Sequence, residues 1–108
     1  MANDYSFIPD LATSVEVPKD GILSRTAYTR DGVKAVLFGF SPGQELSEHT
    51  AGTAAIIQIV RGEARLTVGE DTLEVGPGAV VQMTPRLRHS VLAKTELVML
   101  LLLLKGEG

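Results

Sequence analysis

The sequence contains no cysteine and no long hydrophobic run, and each absence excludes a class of protein. Without cysteine the chain has no disulfide framework, no thiolate nucleophile, no Cys-based zinc site and no iron–sulfur cluster. The most hydrophobic segment, Leu97–Leu104, is eight residues long, far short of the ~20 residues that a membrane-spanning helix needs. The start of the chain also lacks the basic and apolar stretches of a signal peptide. We therefore expect a cytoplasmic protein with no membrane partner.

Positive charge is also scarce. Ten Lys and Arg residues stand against thirteen Asp and Glu residues, so the formal net charge is −3. No basic run is present, and this balance excludes nucleic acid as an expected partner. The 108 residues are 44% hydrophobic, which is enough for the core of one domain and too few residues for two. We expect a single domain over residues 1–108 with its core at about 33–104, and N-terminal strands at 11–30 that extend the sheets or a dimer interface.

Glycine and proline punctuate the chain at short intervals. The runs between them are rich in Val, Ile, Leu and Thr, which predicts an all-β sandwich or barrel with little helix. Ala64, Leu66 and Val68 alternate with polar residues, and the apolar face resumes after Gly69-Glu70. A glycine-first loop of two residues between alternating runs predicts a hairpin with a type II′ turn. The punctuation falls at Asp20-Gly21, Asp31-Gly32, Pro42-Gly43, Arg61-Gly62, Gly69-Glu70, residues 76–78 and Pro85.

Two segments, residues 54–60 and Leu97–Leu104, are apolar at nearly every position. Successive side chains of a strand face opposite sides, so the last strand is apolar on both faces. A small sandwich has one interior, and its second apolar face needs another cover. We expect a homodimer, because twofold dimers are the commonest soluble oligomers. The alternative is a terminal segment of the same chain folded over that face.

The two histidines of the chain, His49 and His89, each lie in a recognisable motif. The first motif is PGQELSEH at 42–49 with IVRGEA at 59–64, and the second is GPGAVV at 76–81 with PRLRHSV at 85–91. Together they resemble the two motifs of the cupin superfamily, over about residues 33–104. The resemblance implies an RmlC-like double-stranded β-helix, a jelly-roll-like barrel of two antiparallel sheets.

The resemblance also implies a metal site, and here the sequence departs from it. Cupins with a complete site have ligands at the positions of His49, Ala51, Ala55 and His89, and two of these four are alanine in this chain. Catalytic zinc and non-heme iron normally take three protein ligands. No nearby carboxylate substitutes: Glu45 has the strand parity of His49 but lies about 13 Å along the strand. We expect His49 and His89 to form at most a weak site for a divalent transition metal.

Four interpretations of the histidine pair remain open. The first is a small-molecule-binding protein, metal-independent or weakly metal-binding, with His49 and His89 as polar anchors. The second is a metal-dependent cupin enzyme of the dioxygenase or isomerase type with an incomplete ligand set. The third is metal-free catalysis in which the two imidazoles transfer protons, and the fourth is a purely structural barrel. The residues expected to line the pocket are Phe38, Phe40, Ala51, Ala55 and Met83.

Overall fold

The computed structural model describes residues 4–105 and consists of β-strands with one short 3₁₀ helix, Leu11–Thr13. The strands of this part of the chain are β1 (Ile22–Arg30), β2 (Val33–Phe40), β3 (Glu45–His49), β4 (Ala54–Arg61), β5 (Ala64–Val68), β6 (Asp71–Val75), β7 (Val80–Met83), β8 (His89–Ala93) and β9 (Leu97–Leu104). They form two antiparallel sheets with the orders β1-β2-β9-β4-β7 and β3-β8-β5-β6. The predicted all-β architecture is confirmed. Within residues 4–105 no helix is long and apolar enough to span a membrane.

The loop between β5 and β6 has the predicted hairpin geometry. Val68 pairs with Asp71, which leaves Gly69 and Glu70 as a two-residue loop. Gly69 has a φ of 59°, whereas Glu70 is not among the residues with positive φ. A positive φ at the first loop position alone is the requirement of a type II′ turn. Glycine meets that requirement without steric cost.

The main core lies between the two sheets. The predicted alternation of β5 is confirmed, since Ala64 and Leu66 are each 1% exposed. Leu97, Met99 and Leu101 of β9 point into the same core. The remaining buried members of this cluster are Val36, Phe40, Ala55, Ile57, Ile59, Met83, Val91 and Ala93. Burial of this apolar surface is the main force that holds the sheets together.

The second face of β9 is covered by the N-terminal segment of the same chain. Val15, itself buried, packs with Ala35 and Leu37 of β2 and with Val98 and Leu100 of β9. The alternative considered from the sequence, a terminal segment folded over this face, therefore holds for this part of the sheet. The homodimer loses that support and stays a prediction, which the molecular mass in solution would test.

Gly39 marks the place where the N-terminal segment crosses β2. A Cβ atom at this position would overlap the carbonyl oxygen of Glu16. The close approach of the two backbones therefore requires glycine. Of the predicted N-terminal strands at 11–30, the part at Ile22–Arg30 forms the edge strand β1. The part before it contains the 3₁₀ helix and this covering segment instead of a strand.

Candidate functional site

The two histidines lie side by side on neighbouring strands of the four-stranded sheet. His49 ends β3, His89 begins β8, and the two residues are directly paired in the ladder. Their ring centroids are 4.2 Å apart, with an angle of 59° between the ring planes. His89 is buried and His49 is half-buried. The fold therefore brings the two sequence motifs together in one place.

A β-bulge in β3 determines which side chains accompany His49. Leu46 pairs with Val91 and His49 pairs with His89, so β3 spans one residue more than β8 between these two pairs. The extra residue puts both Leu46 and His49 on the inward face, although simple alternation would separate them. Glu45 is consequently outward and exposed. The prediction that Glu45 and His49 face the same side was wrong, because the bulge interrupts the alternation of side chains between them.

Backbone carbonyl groups fix the tautomer of both imidazoles. His49 Nδ1 lies 2.8 Å from the carbonyl oxygen of Ser47, and His89 Nδ1 lies 3.0 Å from that of Leu87. A carbonyl oxygen only accepts, so each Nδ1 carries the hydrogen and donates it. In the neutral ring Nε2 then keeps its lone pair. Both histidines thus present a hydrogen-bond acceptor on the side away from the strand backbone.

Both Nε2 atoms are open to a ligand. In the described part of the chain, no buried side-chain nitrogen or oxygen lacks a hydrogen-bond partner. Neither Nε2 has a partner among those residues. Each Nε2 must therefore reach free volume, even though His89 is only 4% exposed. The free volume beside the two rings is a cavity.

This cavity of about 710 Å³ opens at the end of the sandwich where the histidines lie. Its walls are the β1–β2 hairpin, the loop between β3 and β4, and the inward side chains near the end of β9. Leu101 and Leu103 supply an apolar floor. The full lining is residues 29–34, residues 49–53, His89, Leu101, Leu103 and Lys105. The volume is within the usual range for small-molecule sites.

Of the residues expected to line the pocket, Ala51 does so together with His49 and His89. Phe40, Ala55 and Met83 lie in the core instead, each 2% exposed or less. Phe38 is half-buried against that core. Phe40 is six residues from the cavity-lining Lys34, which is about 20 Å along the strand.

Ala55 and Met83 are missing from the cavity wall for a different reason. The two residues pair across β4 and β7, where they close the core under the sheet. Both side chains point inward, as expected for residues of a pocket wall. Inward orientation does not distinguish the sealed core from the open end, because both lie on the same face of the sheet.

Sequence reasoning missed the cationic part of the cavity wall. Lys34, Lys105 and Arg30 line the cavity, and Asp31 is the carboxylate among the lining residues. Arg30 Nε lies 3.6 Å from Asp31 Oδ2. Lys34 shares its face of β2 with the core residue Val36 and so occupies an inward position. The sequence does not show this, because β2 is apolar on both faces.

The family of the chain follows from its sequence as well as from this geometry. The family model described as "Cupin domain" matches residues 36–104. Two antiparallel sheets with a histidine-lined cavity at one end agree with that match. The protein belongs to the cupin family. Among curated proteins, none matches the chain.

Solved structures agree with this assignment. A conserved protein of unknown function from Streptococcus pyogenes is 28% identical with a TM-score of 0.85, covering 98% of this chain and 93% of that one. A cupin superfamily protein from Desulfitobacterium hafniense is 24% identical with a TM-score of 0.84, covering 98% and 95%. A cupin 2 conserved barrel domain protein from Leptotrichia buccalis is 28% identical with a TM-score of 0.81, covering 88% of this chain and 46% of that one.

Proposed function

We propose that this protein binds a small organic molecule in the cavity beside His49 and His89, without depending on a tightly held metal ion. The observation that supports this proposal is the orientation of the two imidazoles. Each Nδ1 is held by a backbone carbonyl, so two Nε2 acceptors face the same free volume. A mostly apolar cavity with a few fixed polar groups is the usual form of a binding site.

The alanines of the cavity region favour an organic ligand over a metal ion. Ala51 lines the cavity, and Ala55 is sealed in the core. Two methyl groups thus stand where the cupin resemblance expects a histidine and a glutamate. The alanine at position 51 leaves room for a ligand in the cavity, and the alanine at position 55 removes the carboxylate that would balance a cation.

A metal-dependent enzyme is the second candidate, and one observation favours it. Histidines that ligate metals usually donate their other ring N–H to a carbonyl or carboxylate, as His49 and His89 do. The donor set, however, does not fit a catalytic metal, which needs about three protein ligands. Within residues 4–105 no group of three His, Cys, Asp or Glu residues is close enough to share an ion.

A fragment screen on the ¹⁵N-labelled protein tests the binding proposal. We expect binding compounds to shift the backbone amides of Ala51, Gly52 and Thr53, which line the cavity next to His49. The His49→Ala variant should lose most of that response while it stays folded, because His49 is only half-buried. Gln82→Ala, an exposed position outside the cavity lining, is the matched control. Hits that shift amides elsewhere, or that bind His49→Ala unchanged, would overturn the proposal.

A further inference from the structure

The charge of the cavity wall is opposite to that of the chain. The protein has a formal net charge of −3. The cavity lining has three cationic side chains and one carboxylate, a formal charge of +2 with both histidines neutral. A concave surface of one sign attracts ligands of the other sign. An acidic protein with a cationic cavity is therefore suited to an anionic ligand.

Lys34 is the best-placed of these cations. On β2 it shares its face with the core residues Val36 and Phe40, so its side chain starts from the inward face of the sheet. Its neighbour in the ladder is Leu103 of the cavity floor. Its side chain has no ion pair or hydrogen bond with any residue of the described chain. An ammonium group in this position is available to a carboxylate of the ligand.

The histidine side of the cavity requires a different chemical group. The Nε2 atoms of neutral His49 and His89 are acceptors, because each Nδ1 already carries the hydrogen. A carboxylate there would put lone pairs against lone pairs. A hydroxyl group, in contrast, donates to Nε2. The cavity therefore has acceptors for hydroxyl groups on one side and cations for an acidic group on another.

These two sets of groups point to one class of molecule. We infer that the ligand is a small hydroxylated carboxylic acid, with its hydroxyl groups on Nε2 of His49 and His89 and its carboxylate on Lys34. Leu101 and Leu103 contact the carbon chain between these groups. The inference rests on the proposed function, since it names the ligand class for the same cavity.

Two sets of matched compounds test separately whether the ligand needs its carboxylate and whether it needs its hydroxyl groups. Glycerate, glycerol and propionate share one chain length and differ only in whether they carry the acid, the hydroxyl groups or both. Gluconate, glucitol and hexanoate form a longer set of the same design. Each is titrated into the ¹⁵N-labelled full chain, and the amides of Ala51, Gly52 and Thr53 report binding in the cavity. We expect the hydroxy acid of at least one set to bind about tenfold more tightly than its polyol and its simple acid.

Substitution of Lys34 tests which cation recognises the acid. We expect Lys34→Gln to weaken binding of the hydroxy acid about tenfold and to leave polyol binding unchanged. Lys34→Arg keeps the charge and should retain most of the affinity. Lys19→Gln is the matched control, because Lys19 is exposed and outside the cavity lining. Equal losses in Lys34→Gln and Lys19→Gln would show only a general charge effect and overturn the assignment of Lys34.

The outcomes distinguish this inference from the proposed function. A preference for the hydroxy acid that depends on Lys34 supports both. Polyols or simple acids that bind in the cavity as tightly as the hydroxy acids overturn the inference and leave the binding function intact. If no compound of either set and no fragment of the screen shifts the cavity amides, both the inference and the proposed function are wrong.

Discussion

The two ends of the sandwich are built from the same strands and are filled differently. At one end Phe40 of β2 pairs with Leu97 of β9, and both side chains are fully buried. At the other end Lys34 of β2 pairs with Leu103 of β9, and both line the cavity. The backbone pairing is the same at both ends. Side-chain size and charge, and not strand topology, therefore decide which end is closed core and which is open site.

The largest effect is expected for a substitution in the closed end of the sandwich. Phe40→Ala removes a fully buried ring and should lower the free energy of unfolding by about 3–5 kcal/mol, the usual cost of such a cavity. Urea denaturation followed by circular dichroism measures it. Val80→Ala, at a side chain that is 61% exposed, should change stability by less than about 0.5 kcal/mol. Similar losses in the two variants would contradict the burial of Phe40 in a closed core.

A smaller effect is expected for a substitution that adds a metal ligand to the open end. Ala51→His places a third imidazole on the cavity wall near His49 and His89. This substitution should raise Zn²⁺ affinity about a hundredfold over the unsubstituted protein, because three protein ligands replace two. Isothermal titration calorimetry gives both affinities. An unchanged affinity would mean that position 51 does not face the two histidines as a metal ligand.

The third comparison concerns the outer face of the five-stranded sheet, where we expect the free energy of unfolding to fall by about 2 kcal/mol. Gly39→Ala puts a Cβ against the Glu16 carbonyl, and overpacking of this kind costs about 1–3 kcal/mol. Because the displaced segment carries Val15, hydrogen exchange should also speed up at the amides of Leu37 and Val98, its contacts. Gly52→Ala is the control, since a Cβ at Gly52 meets nothing within 4 Å. Equal stability of the two variants would show that the N-terminal segment does not need glycine at 39.

The smallest expected effect concerns the exposed face of the second sheet. Hydrogen bonds from Arg65 and then from Lys94 hold the pKa of Glu74 below its usual value. A carboxylate with a lowered folded-state pKa stabilises the fold above its unfolded pKa, and this contribution is lost as the pH falls through the folded value. Glu74→Gln should therefore slightly lower the melting temperature at pH 7, and the difference should vanish in acid. Glu70→Gln, in the adjacent turn, is the control, and a difference that persists in acid would exclude the carboxylate as its cause.

Much of the fold was predictable because its causes are local. The spacing of glycine and proline turns and the alternation in β5 depend only on neighbouring residues. The meeting of His49 and His89 came from the cupin resemblance, since no periodicity links two residues forty positions apart. The bulge in β3 was not predictable, because it depends on the registration of β3 against β8.

The charged side of the site was missed for a related reason. Lys34 occupies an inward position of β2, but this strand is apolar on both faces, so alternation does not show which face is inward. A lysine at the end of a strand usually reaches solvent, so the sequence gives no reason to assign it to a site. Its significance comes from the cavity between β2 and the histidine-bearing strands, which exists only once the two sheets are packed together.

The N-terminal segment has a practical consequence for how the protein is handled. Val15 and its neighbours cover an apolar patch formed by Ala35, Leu37, Val98 and Leu100. Proteolytic trimming up to Pro18 would uncover this patch while leaving every strand of the described chain in place. Trimmed molecules would then associate with one another through the uncovered patch. Limited digestion would therefore convert the protein into an aggregating form that keeps its strands, and gel filtration would detect the aggregates.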